Sequence, residues 1–299
     1  MTPTHDPANQ LKGYFFAFIA ISLWAGWSIV TRIGALSPLT TMDMAFMRFT
    51  CSGILMFPIA YKNRHLVTKQ NFKNIFLMTL GAGIAYFSFM AQGFRLAPAG
   101  HGIITPCTMS TMVAIASYYM YGEKFSKIRV FGYCLIIFGL ALKLYNGVLG
   151  GTIWADIFFV IGALTWSIYT IQTKGQKQIP AIAAAAFVQV GSMALIFFPY
   201  LAYQIHSPHS LPIGDSVLQI IYQGFFTGIV SLIFFNKALE LIGASATASV
   251  AAAMPAMITV LAIPFLHEYP SKLDIVFVTM MTVGVFIASG AVKIRKAKK

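Results

Sequence analysis

Acidic side chains are scarce in this chain: Asp and Glu number 8 in 299 residues, and charged residues of both signs reach only 10%. Soluble domains carry about 25% charged residues, so most of this chain cannot clothe a surface that faces water. Of Asp6, Asp43, Glu123, Asp156, Asp215, Glu240, Glu268 and Asp274, none falls at the centre of an apolar run. That scarcity argues against acid- or metal-assisted catalysis. Cysteine is nearly absent as well. The 3 cysteines, Cys51, Cys107 and Cys134, lie inside apolar stretches, and their odd number and burial argue against a disulfide framework. No G-x-x-x-x-G-K-[ST] pattern occurs and no loop is long enough to hold a nucleotide-binding domain, which argues against direct ATP-driven pumping. His206 and His209 have only Asp215 near them in sequence, too few ligands for a stable metal site, and they read as solvated loop residues.

What the chain has in abundance is apolar length. Apolar residues make up 58% and the mean hydropathy is +0.75. A hydrocarbon core about 30 Å thick takes about 20 helical residues to cross. Windows of that length lie at 13–33, 42–61, 72–94, 99–121, 128–147, 152–173, 181–204, 217–238, 245–266 and 273–292. The expected fold is therefore an all-α integral membrane protein of ten transmembrane helices. The first window is too long for a signal-peptide core and no small-residue cleavage site follows it, so it is expected to remain as a helix.

The net charge of +13 is a matter of topology. Lys12, the cluster Lys62 to Lys73, Lys124, Lys127, Arg129, Lys174, Lys177, Lys237 and the basic tail all fall on the side that carries the termini. Basic residues collect in cytoplasmic loops, so both termini are expected inside, with anionic lipid headgroups as neighbours. Nucleic acid needs no role.

The chain also echoes itself. Met109–Lys127, MSTMVAIASYYMYGEKFSK, returns as Met254–Lys272, MPAMITVLAIPFLHEYPSK, pairing Met109, Met112, Glu123, Ser126 and Lys127 with Met254, Met257, Glu268, Ser271 and Lys272. The same offset pairs Gly83 with Gly228 and Gly139 with Gly284, while a slightly shorter one pairs Trp24 with Trp166 and Trp27 with Tyr169. Residues 1–150 and 151–299 read as two copies of one five-helix unit. Because five is odd, the second copy enters the membrane from the opposite side, the inverted-repeat arrangement of many secondary transporters, whose sites lie near the midplane between the halves.

With these features the chain resembles the EamA-like group of the drug/metabolite transporter superfamily. The likeness rests on ten spans, two five-helix copies, SLWAGWSIVTR and ALTWSIYTIQTK in the first span of each copy, Arg48–Phe49, and the Pro-to-Glu ending of the fourth and ninth spans. It implies a carrier of small polar or amphiphilic metabolites, commonly amino acids, often outward across the bacterial inner membrane. One departure is that Pro106 aligns with Ala251 and Pro255 with Ser110, one turn apart.

Candidate site residues follow from cost. Trp24, Trp27, Tyr86, Trp166 and Tyr169 stand away from the headgroup level where Trp and Tyr usually collect, and could wall a central chamber or simply pack helices. Gln92, Gln189, Gln223, Thr105 and Thr108 place polar groups within spans, where they are expensive and functional by default. Pro106 and Pro255 interrupt the fourth and ninth spans, either as helix breaks at a cavity or as packing kinks. His101, opening the fourth span, is the candidate coupling group. Arg48 lies close enough to a span end to snorkel, and Glu123 and Glu268 read as helix-end anchors for Lys124, Lys127 or Lys272. No cofactor is expected, the partners being a small solute and lipid. The competing classes are a membrane-embedded enzyme acting on a lipid-linked substrate and a non-transporting partner subunit.

Overall fold

Long apolar runs satisfy their own backbone hydrogen bonds only as helices in a medium without water, and the chain folds accordingly. The computed structural model describes residues 7–150, 152–175 and 178–290. Lys177 and the basic tail from Lys293 lie outside the described residues. The helices are α1 (Pro7–Leu36), α2 (Thr41–Lys62), α3 (Lys69–Ala82), α4 (Ile84–Leu96), α5 (Ile104–Tyr121), α6 (Lys127–Gly150), α7 (Ile153–Gly175), α8 (Ala181–His206), α9 (Ile213–Leu218), α10 (Ser231–Ala251), α11 (Met254–Leu266) and α12 (Lys272–Ala288). A 3₁₀ turn, Ala99–Ile103, leads into α5, and a π-helical stretch, Gln219–Val230, joins α9 to α10.

These elements combine into ten crossings. Helices α3 and α4 form one crossing broken at Gly83; α9, the π stretch and α10 form another that runs to Gly243, where φ is +76°. From Ala246 the end of α10 continues with α11 as the ninth crossing. Among the described residues, nine crossings are at least 18 residues long. Helix α12, with 17 residues, is the tenth. The observed helices extend beyond several of the windows read from hydropathy, α1 beginning at Pro7. We call the end of the bundle where α1 begins the near end and the other the far end.

Helix partners come from opposite halves of the chain. The main contacts are α1 with α10 and α11, α2 with α8, α6 with α12, and α7 with α3, α4 and α5. Counted by crossing, the first meets the eighth and ninth, the third and fourth meet the sixth, the second meets the seventh, and the fifth meets the tenth. Each pairing across the halves therefore has its reciprocal.

Small residues permit these approaches, as expected where lipid offers no hydrophobic drive for helices to associate. Gly224 lies against Cys51 and the Arg48 carbonyl, and Gly228 against Ser52, so α2 and the π stretch pack nearly backbone to backbone. Gly83, at φ −95° and ψ −124°, breaks the third crossing where a methyl group would collide with Ser192 Oγ and the Thr79 carbonyl. Two helix starts are fixed by reciprocal caps, Thr40 with Asp43 at α2 and Ser271 with Asp274 at α12, each satisfying backbone donors that would otherwise face lipid.

Gly83→Ala is expected to lower stability by about 1–3 kcal/mol, the usual cost of overpacking. Gly139→Ala, whose new methyl would find its nearest neighbour at 3.6 Å, should be neutral. Thermal unfolding of the two variants in detergent checks the contrast.

Candidate functional site

The close crossing of α2 and the π stretch sets the centre of the protein. A π-helix has a wider turn than an α-helix and recurs at functional sites. Here it aligns Gln219, Gln223 and Thr227 at four-residue intervals toward α1 and α2. Gln219 donates to the Val30 carbonyl at 2.9 Å, Gln223 donates to Gln219, and Trp27 Nε1 donates to Gln223 Oε1 at 3.0 Å. Into this row points Arg48, whose Nη1 donates to Gln223 Oε1 at 3.2 Å and Thr227 Oγ1 at 3.5 Å. Its guanidinium carbon lies 5.7 Å from the Trp27 ring centre and 5.5 Å from those of Phe49 and Phe87. Arg48 is only 7% exposed. It does not snorkel, correcting the sequence reading, because Gly224 and Gly228 draw this face of α2 inward against the π stretch.

Beside Arg48 runs a chain of rings. Trp27 stacks on Tyr86 at 5.6 Å and 17°, Tyr86 meets Trp166 edge-on at 4.6 Å, and Trp166 meets Tyr169 at 5.6 Å. The row passes from α1 through α4 to α7, crossing between the halves. One turn from Arg48, Ser52 donates to Gln189 Oε1 at 2.8 Å, tying α2 to α8. The structure thus brings Trp27, Tyr86, Trp166, Tyr169, Gln189 and Gln223 into one region.

The other sequence candidates lie elsewhere. Trp24 donates to Ser231 at 2.9 Å and packs on Phe235, one turn nearer the near end. Gln92 donates to Thr41 at 3.1 Å and lines a far-end cavity of about 360 Å³ with Thr40, Arg95 and Tyr203. Thr105 donates to Met90 Sδ and the Phe159 carbonyl, at 3.1 and 3.2 Å, and Thr108 Oγ1 is buried with no partner among the described residues. Pro106 falls in the first turn of α5 and Pro255 in the first turn of α11, where the missing N–H is one of those a helix start leaves unpaired anyway. Each follows a real interruption, the 3₁₀ turn at Ala99–Ile103 and the break at Ala252–Ala253, but neither sits in a helix interior and neither costs a helical hydrogen bond.

At the far end, ion pairs and charge-assisted hydrogen bonds join the two halves. Arg32 Nε meets Glu268 Oε1 at 2.8 Å, and Glu268 also accepts from Ala99 N at 2.6 Å. His101 Nδ1 lies 2.7 Å from Asp156 Oδ1, and its Nε2 lies 3.2 Å from Lys143 Nζ, which pairs with Asp274 Oδ1 at 2.6 Å. Asp43 accepts from Tyr200 at 2.9 Å and pairs with His209 Nε2 at 3.0 Å. Three sequence readings change. Glu268 is held by Arg32, not Lys272; His209 is anchored by Asp43 across the chain; and Asp43 and Asp156, though near span ends, are wholly buried. Caps and partners on neighbouring helices, invisible along one helix, bury them. A second far-end cavity, about 160 Å³, is lined by His101, Glu268, Tyr269, Asp274 and Thr259 among others.

With this geometry in place, comparison with known proteins identifies the class. The model of the EamA-like transporter family matches residues 11–145 and again 153–290. The chain belongs to the EamA-like transporter family, and is a multi-pass membrane transporter. It is 22% identical over 295 residues to an uncharacterized transporter of Clostridium kluyveri (strain ATCC 8527 / DSM 555 / NBRC 12016 / NCIMB 10680 / K1), covering 92% of each chain. It is 22% identical over 279 residues to the uncharacterized transporter YyaM of Bacillus subtilis (strain 168), covering 88% of each. A solved crystal structure, 17% identical, superposes with a TM-score of 0.64 over 92% of this chain and 96% of that one, a likeness of fold.

The His209 pair carries a pH dependence. Hydrogen bonding to the Ser207 carbonyl and to Asp43 raises the His209 pKa above its ordinary 6.5. Protonated His209 therefore stabilises the fold fully below about pH 6.5, and that contribution is lost as pH rises through the raised value. Melting temperature measured against pH should fall more steeply on the alkaline side for the parent protein than for His209→Gln.

Proposed function

We propose that this protein is a secondary carrier that moves a small polar or amphiphilic metabolite, an amino acid or related solute, outward across the inner membrane by alternating access. In this reading residues 1–150 and 151–299 are inverted five-helix copies, and both termini are cytoplasmic. The solute sits among Trp27, Tyr86, Trp166, Tyr169, Gln189 and Gln223, where rings and amides from both halves converge in mid-membrane. That convergence is the observation that carries the proposal, because isolated polar groups at this depth are costly unless they serve a pathway.

The two separate family matches and the reciprocal helix pairing support the duplication. Far-end ion pairs supply what alternation requires, contacts made between halves in one state and released in the other. Of these, the run Asp156–His101–Lys143–Asp274 is the coupling candidate, since a histidine between buried charges can exchange a proton as the halves part.

Flux in proteoliposomes tests the carrier. Saturable uptake of a radiolabelled amino acid or related metabolite, with no chemical product, is the expected outcome for the parent protein, and product formation would indicate an enzyme instead. Trp27→Ala and Trp166→Ala should each cut flux about tenfold or more, as loss of a buried ring contact implies. Trp24→Ala, lying off the ring row, should cut it less.

Orientation is tested separately. A cysteine at Ser207 should react with an impermeant reagent from outside intact cells, and one at Lys69 only after permeabilisation. The reverse pattern overturns the assignment of the termini.

A further inference from the structure

Among the described residues, four charged side chains are buried: Asp43, Arg48, Lys143 and Asp156. Three face a group of opposite or titratable charge, His209, Asp274 and His101 respectively. Arg48 faces none. Its hydrogen-bond partners, Gln223 and Thr227, are neutral, both bonds leave from Nη1, and Nε is buried with no partner among the described residues. An arginine stays protonated in any protein setting. The three rings around it offset part of the several kcal/mol that burying an ion costs, each desolvated cation–π contact contributing about 2 kcal/mol at best, but none of them supplies a counter-charge. The Nε edge of a guanidinium is one of the two that grip a carboxylate by paired N–H···O bonds.

We propose that Arg48 is a carboxylate-recognition site, and that the transported class is small organic anions with an apolar or aromatic body. The proposal rests on the carrier reading above and narrows its solute from amino acids to related carboxylates that lack an ammonium group. A carboxylate on the unused Nε edge supplies the charge that the fold omits, while Gln223 and Thr227 hold the other side of the guanidinium in place. The apolar body then lies along Trp27, Tyr86 and Trp166. The same arrangement disfavours an ammonium group, because the face of Trp27 that could attract one is already covered by the guanidinium.

Three probes that share a ring and differ in charge test this: phenylacetate, phenylacetamide and phenethylamine, each at millimolar concentration with the purified protein in detergent. A ligand that binds the folded form raises the melting temperature. Phenylacetate should raise it in the parent protein, and the neutral and cationic probes should not. Arg48→Lys, which keeps the charge and loses the paired geometry, should weaken phenylacetate binding at least about tenfold, a loss of about 1.4 kcal/mol. Arg48→Gln should abolish it. No shift with phenylacetate, an equal shift with either other probe, or undiminished binding by folded Arg48→Gln overturns the site. If Arg48→Gln does not fold, the charge series on the parent protein decides alone. Flux separates this proposal from the one beneath it. Arg48-dependent binding of phenylacetate without transport of any solute removes the carrier and keeps the site; transport restricted to amines or neutral solutes keeps the carrier and removes the site.

Discussion

A bilayer core offers no water to a polar group, so each must find its partner inside the protein or at the membrane surface. In this chain the partner is repeatedly in the other half. Arg32 needs Glu268, His101 needs Asp156, Lys143 needs Asp274, and Asp43 needs Tyr200 and His209. The bundle is consequently held by a few directional ties set among many weakly specific apolar contacts. Such ties have discrete made and broken states, whereas ring-on-ring and small-residue contacts tolerate sliding.

Sequence length and hydropathy located the crossings because a helix in lipid needs little beyond an apolar run. What they did not locate were the changes of winding. The break at Gly83 depends on Ser192, more than a hundred residues away. The π stretch at Gln219–Val230 depends on how closely Gly224 and Gly228 meet α2. The prolines illustrate the same limit from the other side: Pro106 and Pro255 were legible as punctuation, but that they sit in first turns, at no cost in hydrogen bonds, follows from where the neighbouring 3₁₀ turn and chain break fall.

Side-chain depth was read less well than helix position. Arg48 stands seven residues after Thr41, the start of α2, near enough to a surface on a count along the helix to suggest that it reaches out. The count misses rotation, which turns this residue toward Gln223 and the rings of Trp27 and Phe87. Asp43 was not singled out along the chain, and its burial follows from partners far off in sequence, Tyr200 and the loop that carries His209. Trp24 and Trp27, three residues apart, share a face of α1 and yet part company, the first reaching Ser231 on α10 and the second Gln223. An amphipathic count could not divide them, because the divergence belongs to the helix they face.

The cross-half pairing also governs how the chain is made. Every crossing of the first half finds a principal neighbour in the second, so a ribosome that has delivered only residues up to Gly150 leaves Arg32, His101 and Lys143 in the bilayer without their acids. Those charges are therefore compensated only once the second half has been made and packed against the first. A transcript that ends midway yields an orphan marked by exposed charge, conspicuous to membrane quality control.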